Sequence, residues 1–424
     1  MEVLYRVCSG LDVHRDTVVA CLLRTDGPLA ERQQTRTFAT TTAGLVALGE
    51  WLVAAGCGDV AMEATGVFWK PVFNVLENVT RIVVANAAQI KGMPGRKTDV
   101  ADAQWIAELF QHGLIRPSFM PERFQRELRD LTRTRTTLTD ERSAVVNRLH
   151  KVLQDANLKL SSVVTDVLGV SGRAMLEAII SGATDPAALA DLAKGRLRNK
   201  EAALKDALTG KVTAHHQRLV RLHLAHIDFL NEQIGQLSAQ IAEVLHPFDA
   251  DLTHLDTIPG VGRTTAEILL AELGTSMDQF PSAAHAASWA GMCPGNHQSA
   301  GKPKGGRPRK GSVWLRRALV EAAAAGVRTK GSTLAAQYRR IATRHGHQKA
   351  VFAVGHTILR LSYHVLNTHE DYQAQEPTVL DERRRAQLER KALAQLATLG
   401  YDVTLTPKHD APPPSEDDAN QSAA

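Results

Sequence analysis

Two spacings of apolar residues alternate over roughly the first 115 positions. The stretches "YRVCSGLDV", "TVVACLLRT" and "QTRTFAT" are short β-rich runs that predict three strands, the first two joined by the polar turn His14-Arg15-Asp16. "TTAGLVALGEWLVAAG" then repeats its apolar positions at helical spacing, with a threonine at its start and Gly56 at its end. A strand "DVAMEA", a helix from "FWKPVFNVLE", a strand "RIVVAN" and a helix "TDVADAQWIAELFQHG" complete the series. Strands first, then strands alternating with helices, predict a mixed-sheet α/β domain.

From Pro121 the period changes. Leu131, Leu138, Val145 and Val152 recur every seven residues along a strongly charged helix, and Leu230, Ile234, Leu237, Ile241 and Val244 step by four and three. Both are heptad signatures, so two long helices are expected to pair as a coiled-coil hairpin or an oligomer seam. Between them, about 158–212 is rich in Ala and Leu with Gly and Pro punctuation, a helical insertion whose function the residues do not disclose. A further helical unit runs from near Leu252 to about Asn367; a polar helix and a tail of disordered composition follow.

At 424 residues the chain predicts two or three domains. Its apolar fraction of 44% and charged fraction of 22% are those of a soluble globular protein. A net charge of +5 is only mildly basic, so clustering of charge says more than the total. The four cysteines show no CxxC spacing, which argues against a zinc site and a disulfide framework. The opening "MEVLYRVCSG" has no hydrophobic signal core and no apolar run reaches membrane length, so a reduced, cytoplasmic protein is expected, with no membrane partner.

The charge is indeed clustered. Between Asp278 and Glu321 there is no acid, while Lys302, Lys304, Arg307, Arg309, Lys310, Arg316 and Arg317 are all basic. Within that span "NHQSAGKPKGGRPRKG" reads as a basic, flexible loop fit for a phosphate backbone, although a solvated surface loop has the same composition. Upstream, "LDTIPGVGRTTAEILLAELG" has the pattern of a helix-hairpin-helix, in which Gly260 and Gly262 would expose backbone N–H groups to phosphate. A purely structural helix hairpin would look the same. The helix of 121–155 carries Arg123, Arg126, Arg129, Arg133, Arg135, Arg142 and Arg148, partly offset by acids, and suits a solvated or a nucleic-acid-facing role equally.

Four acids stand out. Asp12 lies inside an otherwise apolar strand, where a carboxylate is costly unless paired or bound to a cation. Glu63 closes a strand before a glycine turn, and Asp99 and Asp102 share one face at the start of a helix. Together they could hold hard divalent cations, which take oxygen ligands and, as a pair, stabilise the attacking and leaving oxygens of phosphoryl transfer. Singly, each has an ordinary reading: helix capping for Asp99 and Asp102, a strand end for Asp12, a rim ion pair for Glu63. A strand-borne acid followed by a hairpin opens RNase H-like nucleases, but sugar kinases and actin-like ATPases begin similarly.

"GLDVHRDTVVACLL", "MEATGVFWKPVFNVL" and "RKTDVADAQWIAEL", in that order, resemble the RuvC-like DEDD domain of a family of bacterial insertion-sequence transposases, now called bridge recombinases. "LDTIPGVGRTTAEILLAELG", "FPSAAHAASWAGMCPGNHQSAGK" and "KGSVWLRRALVEAA" resemble that family's C-terminal transposase domain. The resemblance covers roughly 8–115 and 252–367 and removes the kinase alternative. It implies an α/β plus all-α protein: an RNase H-like (RuvC-like) mixed-sheet domain over 1–118 and a coiled-coil hairpin with its insertion over 119–250. A helical transposase domain with a helix-hairpin-helix over 251–370 and a polar helix and tail over 371–424 would follow. It makes Asp12, Glu63, Asp99 and Asp102 a Mg²⁺- or Mn²⁺-binding tetrad and Ser299 a nucleophile that forms a phosphoserine link to DNA. In this family the tetrad and the serine come from different subunits of a tetramer, so a homo-oligomer, dimer or tetramer, is implied. Donor DNA, target DNA and a noncoding bridge RNA are the implied partners. His297, two residues from Ser299, is a weaker helper for the serine. The competing reading is a metal-dependent, structure-specific nuclease, like a Holliday junction resolvase, with water as nucleophile. A third is a nucleic-acid-binding protein whose active site has decayed.

Overall fold

A strand with apolar side chains on both faces needs cover on both sides, and the first strands of this chain have them. The computed structural model describes residues 2–26, 28–64, 66–86, 90, 99–293, 298–299, 302–303, 311–329, 331–373, 389–390 and 393–404. The chain divides into two compact units, Met1–Thr137 and Leu138–Ala424.

In the first unit, β1 (Val7–Val13), β2 (Thr17–Arg24), β3 (Gln33–Ala39), β4 (Asp59–Glu63) and β5 (Arg81–Ala85) form one sheet in the order β3-β2-β1-β4-β5. The β1–β2 and β2–β3 pairs are antiparallel; β1–β4 and β4–β5 are parallel. Period-two alternation splits the apolar residues between two cores. Val18, Ala20 and Leu22 join Leu11 and Val13 under α1 (Thr42–Ala54) and α2 (Trp69–Leu76), with Leu45, Leu48, Leu52, Val72 and Leu76. Val19, Cys21 and Leu23 face the other way, with Cys8, against Ala103, Ile106, Ala107 and Phe110 of α3 (Asp99–Gln111). The result is a mixed five-stranded sheet between helices, consistent with an RNase H-like DEDD domain. The threonine start expected for α1 is Thr41, whose hydroxyl accepts the Gly44 N–H, and Gly56 ends the following turn at φ +70°.

The long helix α4 (Arg123–Asp155) begins in the first unit and ends in the second. In the second unit come α5 (Leu160–Val163), α6 (Val170–Ile180), α7 (Pro186–Ala190), α8 (Glu201–Leu208) and α9 (Ala214–Leu245). One core gathers Val145, Leu149 and Leu153 of α4, Met175, Leu176 and Ile179 of α6, Leu204 of α8, and Leu224, Ile227 and Leu230 of α9. The insertion at 158–212 therefore shares its core with both long helices. The heptad seam expected on α4 is only partly realised. Val145 is buried, but Leu131, Leu138 and Val152 are half-buried, and the buried stripe runs through Leu128, Thr132, Arg135, Leu149 and Leu153. An α-helix drifts about 20° per heptad against a strict seven-residue repeat, so a straight helix moves its buried face off the repeat. On α9, Leu230 and Ile241 of the expected seam are buried, whereas Ile234, Leu237 and Val244 are half-buried; Val220, Leu224, Ile227 and Leu245 are buried as well.

The remaining helices are α10 (Asp249–Asp256), α11 (Arg263–Leu273), α12 (Ala283–Trp289), α13 (Val313–Gly326), α14 (Thr333–His345) and α15 (His347–Thr368). A two-residue hairpin, β6 (Gln298–Ser299) with β7 (Lys302–Pro303), lies between α12 and α13. Of the polar helix expected to follow, 389–390 and 393–398 are helical and 399–400 form a turn; its other residues and the tail from 405 lie outside the described residues. No described helix is long and apolar enough to cross a membrane.

Candidate active site and nucleic-acid interface

The parallel ladder between β1 and β4 pairs Leu11 with Met62. Asp12 and Glu63 follow those residues, so the two acids leave adjacent strands at the same end of the sheet. A second acidic element reaches that end through the direction of α3. Leu4 and Tyr5 donate their N–H groups to Gln111 at the end of α3, and the Cys8 thiol lies 3.8 Å from the Ala107 carbonyl. Further along β1, a Cβ on Gly10 would stand 2.3 Å from the Ala107 nitrogen and 2.4 Å from the Ala103 carbonyl oxygen. The helix thus runs antiparallel to β1, and its first turn, with Asp99 and Asp102, heads toward the strand end that carries Asp12. Three of the four predicted acids, and the backbone of the fourth, are brought to one end of one sheet.

Asp12 is largely enclosed, at 17% side-chain exposure, with its Oδ2 3.0 Å from His14 Nε2. Glu63 and Asp102 are half-buried; the side chain of Asp99 lies outside the described residues. Among the described residues, no group of three or more His, Cys, Asp or Glu side chains is gathered tightly enough to hold a metal ion. The donor set is nonetheless the right chemistry for a hard divalent cation, since all four groups are carboxylates. Two features of this end were not singled out as functional from the sequence. His14 was legible only as a turn residue, and Gly10, which lets α3 seat directly on β1, was signalled by a glycine inside an apolar strand.

In the second unit, Ser299 pairs with Lys302 across the β6–β7 hairpin. The expected open flexible loop is replaced at these residues by a short antiparallel ladder, in which paired backbone groups satisfy one another. His297, Lys304, Arg307, Arg309 and Lys310 lie outside the described residues, as does the side chain of Lys302. The far end of the basic segment is firmly tied. A Cβ on Gly311 would fall 2.3 Å from the Ala290 carbonyl oxygen. Ser312 caps α13 by accepting the Leu315 N–H, and its hydroxyl donates to the buried Glu272 carboxylate at 3.0 Å. Arg316 is half-buried. Arg317 is engaged by Asp140 of α4 and, at 2.8 Å, by Glu321 one turn along α13. The hydrogen bond to Arg317 holds Asp140 below the usual carboxylate range, while the same bond raises the Arg317 pKa.

The "PGVG" turn joins α10 to α11, and its two glycines do different things. Gly260 has φ +90°, and a Cβ there would meet the Ala322 carbonyl oxygen at 2.2 Å and the Gly326 nitrogen at 2.4 Å. Its lack of a side chain is required by close approach to α13. Gly262 precedes α11 as its N-cap, is exposed, and has open space where a Cβ would be. Beside it, Arg263 contacts Asp249 at 2.8 Å and Glu267 at 3.2 Å. Of the two glycines, Gly262 is the one whose surroundings leave room for a phosphate.

Comparison with known proteins places these blocks. Residues 9–158 match the model of the IS110-type DEDD transposases, described as a transposase, and residues 252–339 match the IS116/IS110/IS902 transposase family. The chain is similar to a probable family 20 transposase of Pseudomonas aeruginosa, at 26% identity over 63% of this chain and 71% of that protein. It is also similar to the transposase of insertion sequence element IS1111A from Coxiella burnetii, at 24% identity over 86% of this chain and 90% of the relative. A pilin gene-inverting protein of Moraxella bovis is 38% identical over 24% of this chain and 30% of its own length.

Proposed function

The chain is a bacterial insertion-sequence transposase of the DEDD type, an enzyme of DNA recombination, and from that premise we propose how it cuts and rejoins DNA. The observation that carries the proposal is the register that sends Asp12, Glu63 and the first turn of α3 to one end of the sheet. Asp12, Glu63, Asp99 and Asp102 are the residues that would hold Mg²⁺ or Mn²⁺. When bound, the ion supplies positive charge to a phosphodiester undergoing displacement. Ser299 is the nucleophile: its Oγ bonds to the phosphorus, a P–O bond to the neighbouring nucleotide breaks, and the departing oxygen takes up a proton. The phosphoserine retains the energy of the phosphodiester, so a second strand's hydroxyl rejoins it without an external energy source. Lys302, Lys304, Arg307, Arg309, Lys310 and Arg316 hold the strands and offset charge on the pentavalent phosphate, while Arg317, engaged by Asp140 and Glu321, braces α13 beside them.

The proposal also includes a noncoding bridge RNA that selects donor and target by base pairing, which suits a protein that contacts backbones and leaves sequence to the RNA. A homo-oligomer, dimer or tetramer, is the working state. The test is a recombination assay with cognate RNA, donor and target in Mg²⁺, with trapping of a covalent protein–DNA adduct. Ser299→Ala is expected to remove the adduct, and Asp12→Ala to remove strand cleavage altogether. Cutting that survives Ser299→Ala would favour the water-using nuclease, and an adduct that persists without Ser299 would refute this chemistry.

A further inference from the structure

A cleft of about 290 Å³ opens in the first unit between the start of α2, the segment 119–121 and the first turns of α4. That volume is at the low end for a pocket that encloses a small ligand, enough for one nucleotide and too small for a duplex. Its wall is aromatic: Trp69 is half-buried, braced edge-on by Phe73 with ring centroids 6.0 Å apart, and Phe119 lines the same cleft. Its rim is basic, with five cations and two acids among the lining residues. Arg126 acts as a strut. It reaches Glu77 at 2.7 Å and the Pro121 carbonyl at 3.0 Å, with its guanidinium over the Phe73 ring at 4.9 Å, and so fixes α2 against α4. Lys70 stands 3.9 Å from Asp130, a long contact that water and salt weaken. Arg129 and Arg133, one helical turn apart on α4, are half-buried along the same wall.

We propose that this cleft holds one unstacked nucleotide of a nucleic-acid strand, its base against Trp69 and its flanking phosphates against Arg129 and Arg133. Base–aromatic stacking tolerates any base, and cations spaced along a helix follow a backbone, so the site grips a strand without reading its sequence. A rim of five cations to two acids beside an aromatic wall matches the phosphates and bases of a strand better than it matches a protein surface. The inference rests on the chain's acting on nucleic acid but not on the chemistry assigned to Ser299.

The test uses the full chain carrying Asp12→Ala, in EDTA, with matched single-stranded 5-iodouridine RNA and 5-iodo-deoxyuridine DNA probes. Photocrosslinks are mapped by mass spectrometry and affinities measured by anisotropy. A crosslink to Trp69 is expected; preference for RNA would assign the strand to a guide, and preference for DNA to a donor or target. Trp69→Leu should weaken binding about tenfold. Arg129→Gln with Arg133→Gln should flatten the salt dependence by about 1.4 in the log–log slope, about 0.7 for each phosphate contact. If Trp69→Leu does not fold, the arginine pair and the crosslink decide. Absence of any crosslink within 69–133, with the arginine variant matching its parent, would overturn the inference. Ser299→Ala should leave the crosslink intact, which separates this outcome from failure of the phosphoserine chemistry.

Discussion

Asp12 announces itself in the sequence because a carboxylate inside an apolar strand has few inexpensive explanations. Gly10, two residues earlier, matters as much for the site and announces itself far less. It is the point at which the backbone of α3 rests on β1, and α3 carries Asp102. Gly10→Ala would force a Cβ to within 2.4 Å of two backbone atoms that no side-chain rotation can relieve. The expected result is a loss of about 2–3 kcal/mol in denaturant unfolding, with reduced DNA cleavage as α3 shifts. Gly58→Ala, where a Cβ meets nothing, is the control and should change stability by less than about 0.5 kcal/mol. The buried thiols are a simpler case. Burial pushes Cys8 up to about 12 and Cys57 up to about 11, so both are neutral packing groups at ordinary pH.

Elements were legible where one period ran unbroken. The strands β1 to β5 and the helices α1 to α3 stand where alternation and 3.6-residue spacing put them. The heptad reading of α4 succeeded in finding a long helix and missed much of its buried face, because Thr132 and Arg135 are buried where a repeat of leucines suggests a different stripe. A seam is set by what packs against a helix, and at Val145, Leu149 and Leu153 that includes the insertion, whose sequence has no heptad of its own. The "PGVG" turn divides likewise. Gly260→Ala should cost about 3 kcal/mol or more, from its positive φ together with the collision on α13. Gly262→Ala should cost less than about 1 kcal/mol in stability. If Gly262 meets phosphate through its backbone, DNA binding by that variant drops while its thermal midpoint holds; filter binding beside calorimetry separates the two.

At the scale of the molecule, pH provides a readout of the second unit. Burial lowers the pKa of His223 on α9, helped by Arg148 and His226, and burial with Arg360 lowers that of His356 on α15. A histidine whose folded pKa lies below its unfolded value of about 6.5 binds more protons when unfolded, so the stability it contributes is present above that value and is lost as pH falls through its folded value. The thermal midpoint of the second unit should therefore fall between about pH 7.5 and 5.5, and His356→Gln should flatten that slope. The order of the blocks, an acid-bearing mixed sheet first and a basic helical unit later, was determined by the sequence alone. So were the types of the elements and the identity of the acids as candidates, because hydrophobic period and charge clustering are properties of neighbouring residues. Only the tertiary structure decided that Asp12 and Glu63 leave adjacent strands at one end, that α3 runs antiparallel to β1, and that Gly260 is held by α13. It also decided that Trp69 and the arginines of α4 wall a common cleft. Each of these joins residues far apart in the chain, and strand register and close backbone approach leave no local period from which they could be read.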